Sequence, residues 1–547
     1  MTKRVSLLLL LATLLIGGAF RFYLIKDVPL GLAPEEAAYG NYALEAIATG
    51  DVRLFYPELG ISAGVFVNLL AFALNVLGNA PWVLRLVSAL VGTITMLGVY
   101  LVAKELFYKR VSDGRTLGIP YADTIALTAA FFLAASFWHI SFSRLGLSVI
   151  LLPFFAAFSM YFLLRGLRTG HVAELIGAGA FTGLGFYGSG FFYTMLPVFA
   201  LPLGRALWRW YRRDEAAIPV ERSWTRLGCA PCAVTLFLFV ALVVALPVTL
   251  QMIQAPEVMA EAAGESAAGL HIVRTLQMLF LQGDCDWRYN LACQPALAGV
   301  PAFFAAAGLA ATAFTLFKGR GWEQFVSALL GIWFVSALLP AILTPRHVPD
   351  ALGALGAVVP TMLIAAFGAA SLLAYALGWL EMHKSGYPER SGQLLRIQRE
   401  IILALPLLLL IVALQTHRAY FIDWAYQPQT YDALGTPLVH IGQYLNDAPP
   451  EAKKYVVANI RNTSEATFPM PLHTVMFVTN TFPERERSAK RFTYLVPGDN
   501  LARIVRGEPT VIIPLDGYDR DFIAAVRRNF PEFKLTVPGD FLVFQNF

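Results

Sequence analysis

The sequence is poor in charged residues. Only 14% of its 547 residues are Asp, Glu, Lys or Arg, whereas 57% are hydrophobic. Soluble domains carry charge on about 25% of their residues, so this composition argues against an ordinary soluble protein. The net charge of +5 does not indicate nucleic-acid binding, because the basic residues lie between long apolar runs, where a membrane explains them.

Metal-binding patterns are also sparse. The sequence has four cysteines, eight histidines and no HxxxH pair. The single CxxC of Cys229 and Cys232 is weak evidence for zinc, and we expect two small buried residues there. Cys285 and Cys293 lie in one loop, where they could form a disulfide in an oxidising compartment or stay free. We therefore expect no required cofactor; a divalent metal is compatible with the sequence, but nothing indicates one.

Long apolar runs dominate the chain up to residue 416. They are near-continuous and about 20 residues long, which predicts transmembrane helices and not the alternating strands of a β-barrel. The first run follows a basic segment but has no clear cleavage site, so we interpret it as an uncleaved span. The eleven predicted spans are 5–25, 82–107, 120–137, 145–165, 172–187, 191–210, 229–252, 297–317, 322–343, 350–380 and 400–416.

The apolar run 62–79 decides the predicted orientation. If it does not cross the membrane, most loop Lys and Arg residues fall on the side of the N-terminus, as expected for cytoplasmic loops. We therefore predict that 62–79 lies in the outer interface. The N-terminus is then cytoplasmic, and the two large outer loops are 26–81 and 253–296.

After Thr416 the composition becomes polar enough for a soluble domain. Strand-like segments alternate with amphipathic helices, which predicts a small α/β domain outside the cell membrane. The predicted strands are KYVVANI, TVMFVT, FTYLV, TVIIPL and FLVFQNF, and the predicted helices are YDALGTPLVHIGQYL and DRDFIAAVRRNF. The predicted fold is an all-α polytopic membrane domain, 1–416, with about 11 transmembrane helices, followed by a small soluble α/β domain, 417–547.

Two adjacent carboxylates, Glu35 and Glu36, follow the first span in PLGLAPEEAAYGNYA. Pro34 suits the first turn of a helix. Neighbouring side chains on a helix point about 100° apart, so one carboxylate could accept a proton while the other orients a ligand or its neighbour. Alternatively, both could simply stabilise the helix N-terminus through its dipole.

This segment resembles the first outer loop of a known enzyme family. Residues 34–39, PEEAAY, and the later Gly50-Asp51 resemble the Pro-Asp-Glu-Ala-x-Tyr and Gly-Asp patterns of GT-C glycosyltransferases that use polyprenyl-phosphate sugars. These are the protein O-mannosyltransferases, the lipid A aminoarabinose transferases and their relatives in glycosyltransferase family 39. Further resemblances occur in order at PWVLRLVSALVG (81–92), WHISFSRLGLSVILLPFF (138–155), GLGFYGSGFFYTMLP (183–197), QGDCDWRYNLACQP (282–295) and RAYFIDWAYQP (418–428).

The resemblance implies transfer of a sugar to an acceptor hydroxyl at the outer face of the membrane. Such transfer needs a base for the hydroxyl proton and positive charge for the leaving phosphate, which arginine grips with paired hydrogen bonds. The resemblance implies Glu35 as the base, assisted by Glu36. The implied substrate-binding residues are Tyr39, Arg144, Asp284, Arg288, Asn290 and Arg346. The expected partners are a polyprenyl-phosphate sugar, membrane lipid and a protein, lipid or glycan acceptor, with no nucleic acid.

Two departures from the family keep other interpretations open. The family usually has Asp where Glu35 stands, and Asp350 and Gly353 stand where it often has His and Arg. A catalytically inactive scaffold is therefore an alternative. A transporter or flippase for a polyprenyl-linked substrate is another, although it would favour ionisable groups at mid-membrane. The outer arginines could instead bind lipid headgroups, and Asp284 and Asn290 could cap loop turns.

Overall fold

The computed structural model is mainly helical, with a small sheet near the C-terminal end. Fifteen described α-helices precede residue 419, and a two-stranded hairpin lies between two of them. The structure describes residues 2–59, 63–108, 115–116, 119–212, 225–254, 268–343, 345, 347–386, 391–459, 468–496 and 501–547. These helices are α1 Thr2–Phe22, α2 Pro34–Thr49, α3 Gly64–Leu77, α4 Pro81–Leu106, α5 Tyr121–Ala134, α6 Phe137–Ser143, α7 Leu151–Thr169, α8 Val172–Gly188, α9 Leu196–Tyr211, α10 Ala230–Gln254, α11 Ala268–Phe280, α12 Gly299–Lys318, α13 Trp322–Leu343, α14 Val358–Gly386 and α15 Ser391–Arg418. The hairpin strands are β1 Arg115–Thr116 and β2 Ile119–Pro120.

The predicted polytopic membrane domain is confirmed. Within the described residues, nine helices are long and apolar enough to cross a membrane, and α5 with α6, bent by 60° at their junction, would make a tenth. The remaining predicted span corresponds to α8, which has 17 residues. Each predicted span therefore coincides with a helix, and these helices enclose one continuous apolar core.

The run 62–79 forms the short helix α3. Its 14 residues give a length of about 21 Å, less than the ~30 Å hydrocarbon thickness of a bilayer. One face, with Phe66 and Leu70, is buried against α2 and α4, whereas Phe72 and Val76 are exposed. This length and this exposed apolar face agree with the prediction of an interfacial helix.

The C-terminal part forms a five-stranded mixed sheet flanked by helices. The strand order is β4-β3-β5-β7-β6; β3 is parallel to β4 and β5, and β7 is antiparallel to β5 and β6. The strands are β3 Lys453–Val457, β4 Phe492–Leu495, β5 Thr510–Pro514, β6 Lys534–Thr536 and β7 Val543–Gln545. The helices are α16 Pro428–Ala433, α17 Thr436–Asp447, α18 Met470–Thr479, α19 Glu484–Ala489 and α20 Arg520–Asn529.

One predicted strand, TVMFVT, is wrong because it lies in α18. A short apolar run looks the same in a buried strand and a buried helix. Here one side of the run, including Val475 and Met476, packs into the core of the sheet domain, while Phe477 joins the core of the membrane domain. Burial on opposite sides removes the polar stripe that would have revealed the helix. The left-handed Asn480 ends α18 and was an available stop signal.

Helix α18 packs the sheet domain onto α2. Asn41 on α2 donates to the carbonyl oxygen of His473 at 2.9 Å, and Thr474 donates to the carbonyl oxygen of Leu32 at 3.1 Å. A Cβ at Gly40 would lie 2.5 Å from a ring carbon of Phe477, so the two helices touch closely. The domain therefore rests on the helix that begins with the two glutamates.

The expectation that Cys229 and Cys232 are buried is wrong. They form a disulfide, with Cys229 half-buried and Cys232 exposed. Helix α10 begins at Ala230, so the pair lies at the helix end and not on its buried stripe. The amide of Cys232 donates to Cys229 Sγ at 3.0 Å.

Candidate active site

Helix α2 places Glu35 and Glu36 in its first turn. The helix begins at Pro34, whose missing N–H is not needed there. As the third helical residue, Glu36 folds back, and its Oε1 accepts a hydrogen bond from the amide of Ala33 at 3.3 Å. The helix start therefore fixes one carboxylate toward the protein and turns its neighbour in another direction.

Glu36 is fully buried, with both carboxylate oxygens bound by the protein. Its Oε2 accepts hydrogen bonds from the amide of Gly146 at 2.7 Å and from Arg85 Nε at 3.3 Å. Its Oε1 also lies 3.4 Å from Arg85 Nη2. The exposed fractions of the Arg85 and Glu36 side chains are 2% and 0%, so this is a buried ion pair.

Arg85 fastens the loop that leads to α2. In addition to Glu36, its guanidinium donates to the carbonyl oxygens of Pro29 and Gly31. The sequence analysis did not select Arg85 as a site residue, although PWVLRLVSALVG contains it. The resemblance in that stretch was the signal that could have identified it.

Glu35 lies on a more accessible part of the first turn. Its side chain is 29% exposed, and its Oε1 accepts a hydrogen bond from Arg288 Nη1. Its Oε2 has no hydrogen-bond partner among the described residues. Glu35 therefore has one oxygen bound by Arg288 and one buried oxygen without a partner among the described residues, whereas both oxygens of Glu36 are occupied.

Arg288 belongs to a tightly closed loop. The disulfide between Cys285 and Cys293 joins its two sides. Asn290 Nδ2 donates to the carbonyl oxygen of Asp284 at 2.7 Å and to that of Gln294 at 2.6 Å. Asn290 thus holds the loop closed, and the contact between Arg288 and Glu35 joins this loop to the start of α2.

Asp286 orients Arg288 within this loop. Arg288 Nε lies 3.0 Å from both carboxylate oxygens of Asp286, and Nη2 donates to Oδ2 at 2.6 Å. Burial raises the pKa of Asp286, but the hydrogen bonds and charge of Arg288 outweigh it and lower that pKa below its ordinary value. Burial lowers the pKa of Arg288, but Asp286, Tyr289 and Glu35 together raise it above its ordinary value. The guanidinium therefore stays charged.

Asp284 links this loop to the segment before α14. Its Oδ1 accepts hydrogen bonds from the amide of Asp286 and from His347 Nε2, both at 2.8 Å, and its Oδ2 accepts one from the amide of Ala351 at 2.8 Å. The hydrogen bond with Asp284 raises the pKa of His347. The ligand atoms of Asp284, His347 and Asp350 lie within 4.8 Å of one another. Asp284 thus holds the Arg288 loop against the segment before α14.

Arg144 is completely buried at the end of α6. Its Nη1 donates to the carbonyl oxygen of Phe20 at 2.9 Å and its Nη2 to that of Val28 at 2.6 Å. The guanidinium carbon lies 5.4 Å and 5.1 Å from the ring centres of Tyr420 and Phe421. These contacts fasten the end of α1 and occupy two of the three guanidinium nitrogens, whereas Nε is buried without a hydrogen-bond partner among the described residues.

Solved structures share this arrangement of helices and sheet. ArnT from Cupriavidus metallidurans in the apo state is 16% identical, with a TM-score of 0.57 over 100% of this chain and 98% of that chain. The structure of that protein bound to undecaprenyl phosphate is 15% identical, with a TM-score of 0.55 over 100% of this chain and 99% of that chain. The chain has the GT-C fold. No protein-family model and no curated protein sequence matches it.

Within this GT-C fold, the structure brings some of the predicted site residues together and separates others. Glu35 and Arg288 meet directly, while Asp284 and Asn290 shape the loop that carries Arg288. Tyr39 lies one turn after Glu35, and its hydroxyl is 2.9 Å from Ser148 Oγ. Glu36 and Arg144 are both buried instead, and each is bound by other parts of the protein. Arg346 lies outside the described residues.

Proposed function

We propose that the chain is an integral membrane glycosyltransferase that moves a sugar from a polyprenyl-phosphate donor to an acceptor hydroxyl at the outer face of the membrane. The contact between Glu35 and Arg288 carries this proposal. It joins a carboxylate whose second oxygen has no hydrogen-bond partner among the described residues to a guanidinium that stays charged. The fold is that of ArnT, which has been crystallised with undecaprenyl phosphate. A hexose or pentose donor and a protein, lipid or glycan acceptor all fit this chemistry.

In the proposed reaction, the acceptor oxygen attacks the anomeric carbon of the donor sugar. Glu35 takes the hydroxyl proton, a contribution typically worth ~10²–10⁴-fold in rate. The bond between the anomeric carbon and the phosphate oxygen breaks, and its electron pair leaves with the polyprenyl phosphate. Arg288 stabilises that anion through charge-assisted hydrogen bonds. Glu36 positions Glu35 by fixing the first turn of α2 to Arg85.

In the proposed orientation, the Arg288 loop and the start of α2 lie outside the cell, and the N-terminus lies in the cytoplasm. The distribution of basic residues in the loops supports it. Cysteines introduced at Gly60 and Gly114 would test it by labelling of intact cells with an impermeant thiol reagent. All four native cysteines are paired, so background labelling should be low. We expect only the cysteine at Gly60 to react, and labelling of only the one at Gly114 would reverse the orientation.

The decisive assay uses purified protein in lipid nanodiscs with radiolabelled polyprenyl-phosphate sugars. A cell-envelope extract supplies the acceptors, and both labelled product and released polyprenyl phosphate are measured. We expect at least one donor to be consumed with transfer of its label. Intact donor crossing the membrane of protein-containing liposomes, without sugar transfer, would favour a flippase. A folded protein with neither activity across the donor panel would favour an inactive scaffold.

A further inference from the structure

The guanidinium of Arg288 has one fixed side and one exchangeable side. Asp286 holds Nε and Nη2 through three contacts of 2.6–3.0 Å. The remaining nitrogen, Nη1, donates to Glu35. Glu35 and Arg288 are each 29% exposed, and partly exposed ion pairs contribute little stability. The contact with Glu35 is therefore the weaker of the two attachments.

The proposed roles of these two residues conflict in the substrate-free protein. The proposed base is paired with the proposed phosphate ligand, so each neutralises the other. The Glu35 oxygen that accepts from Arg288 Nη1 occupies the place that a phosphate oxygen would take, and a guanidinium that faces a carboxylate binds an anion less well. Catalysis at this site therefore requires the pair to separate.

We propose that the donor phosphate replaces Glu35 on Nη1 of Arg288, and that this exchange frees Glu35 to act as the base. The proposal rests on the function proposed above. Asp286 is the positioning residue, because it keeps Arg288 in place after Glu35 leaves. Donor binding thus precedes activation of the base, and the carboxylate is unmasked only when a phosphate is present.

The side chain of Glu35 is suited to this exchange, whereas that of Glu36 is not. Glu36 is fixed by four hydrogen bonds from Arg85, Gly146 and Ala33. Within the described part of the chain, Glu35 makes one side-chain hydrogen bond, with Arg288, and its other carboxylate oxygen has no partner. Its side chain is also one methylene longer than the Asp of the resembling family, which extends its reach toward the loop. Glu35 can therefore turn away from Arg288 without breaking another side-chain hydrogen bond to the described residues.

The exchange predicts an affinity gain when the carboxylate is neutralised. The affinity of purified protein in nanodiscs for undecaprenyl phosphate is measured for the wild type, Glu35→Gln, Arg288→Gln and the double variant. We expect Glu35→Gln to bind roughly two- to fivefold more tightly, the equivalent of one partly exposed ion pair. Arg288→Gln should bind at least about tenfold more weakly. In the Arg288→Gln background, Glu35→Gln should give no gain.

A matched control separates competition from general electrostatics. Glu45 lies about 15 Å further along the same helix, and Glu45→Gln should leave the affinity unchanged. Asp286→Asn should weaken binding and lower the transfer rate without lowering the Tm, and Asp286→Glu should restore part of both. A purely structural Asp286 would instead change stability and rate together, which would overturn its positioning role.

Several results would contradict the exchange itself. The exchange is contradicted if Glu35→Gln binds undecaprenyl phosphate as tightly as the wild type or more weakly. It is also contradicted if Glu35→Gln gives the same gain in affinity in the Arg288→Gln background, or if Glu45→Gln gives that gain. These outcomes leave the proposed function standing if wild-type protein still binds undecaprenyl phosphate and transfers sugar. Folded wild-type protein that neither binds undecaprenyl phosphate nor consumes any donor would instead refute the function and the exchange together.

Discussion

The change Glu36→Gln tests whether the two adjacent carboxylates have separate roles. The amide of glutamine keeps one oxygen and replaces the other with an NH2 group. In either orientation the NH2 faces donors, because Arg85 contacts both carboxylate oxygens and Gly146 and Ala33 contact one each. The buried Arg85 charge would also lose its counter-ion. We therefore expect Glu36→Gln to destabilise the folded protein.

The magnitude follows from the burial of the pair. Removing one partner of a buried ion pair typically costs about 3–5 kcal/mol. With an unfolding entropy of about 2.1 cal/mol/K per residue, cooperative unfolding of 547 residues converts this into a Tm decrease of about 3–4 °C. A smaller cooperative unit would give a larger decrease. Glu35→Gln removes only a partly exposed pair worth about 0–1 kcal/mol, so its Tm should fall by about 1 °C at most.

Thermal unfolding of the two variants in the same detergent provides the assay. The double variant Glu36→Gln/Arg85→Met should recover part of the lost stability, because it removes the uncompensated charge. Equal Tm values for wild type and Glu36→Gln would refute the structural role of Glu36. The same would follow if Glu35→Gln were the more destabilised of the two single variants.

Three further predictions concern the sheet domain and the Arg288 loop. Burial lowers the pKa of His473 to about 4, because the charged imidazolium is disfavoured away from water. The free energy of unfolding should therefore be highest above pH 6.5 and should fall by up to about 3 kcal/mol as the pH decreases toward 4. Limited proteolysis across this range should show the sheet domain loosening, and a His473→Gln variant with an identical pH profile would contradict the assignment. Replacing Cys285 and Cys293 with serine should cost about 2–3 kcal/mol of loop stability and weaken undecaprenyl phosphate binding; unchanged affinity would show that the disulfide does not position the loop. The Val side chain of Gly40→Val should clash with Phe477 and increase the sensitivity of the protein to protease. Adding Phe477→Ala should remove the clash and reduce that sensitivity again. Unchanged protease sensitivity of Gly40→Val would argue against the close contact between the helices.

The membrane helices could be predicted because their signal is local. A run of about 20 apolar residues marks a span without knowledge of its neighbours, and each predicted run proved helical. The short run at TVMFVT lacks that advantage. Its helix is buried by the sheet domain on one side and by α2 on the other, and these contacts join residues distant in sequence.

The division of labour between Glu35 and Glu36 could not be predicted for a related reason. Helix geometry separates two adjacent side chains by about 100°, but it does not say which one faces the interior. That depends on Arg85, which α4 brings to Glu36. Likewise, the sequence indicated Arg144 as an outer arginine, but not that backbone carbonyl groups occupy its guanidinium.

Sugar transfer by the Glu35→Gln protein is the most direct measurement of the central claim. With a donor that the wild type consumes at saturating concentration, removal of the base should lower the transfer rate by about 10²–10⁴-fold without loss of donor binding. Glu45→Gln, assayed alongside, should retain the wild-type rate. A Glu35→Gln enzyme that turns over the donor as fast as the wild type would show that the proton goes elsewhere and would contradict the account.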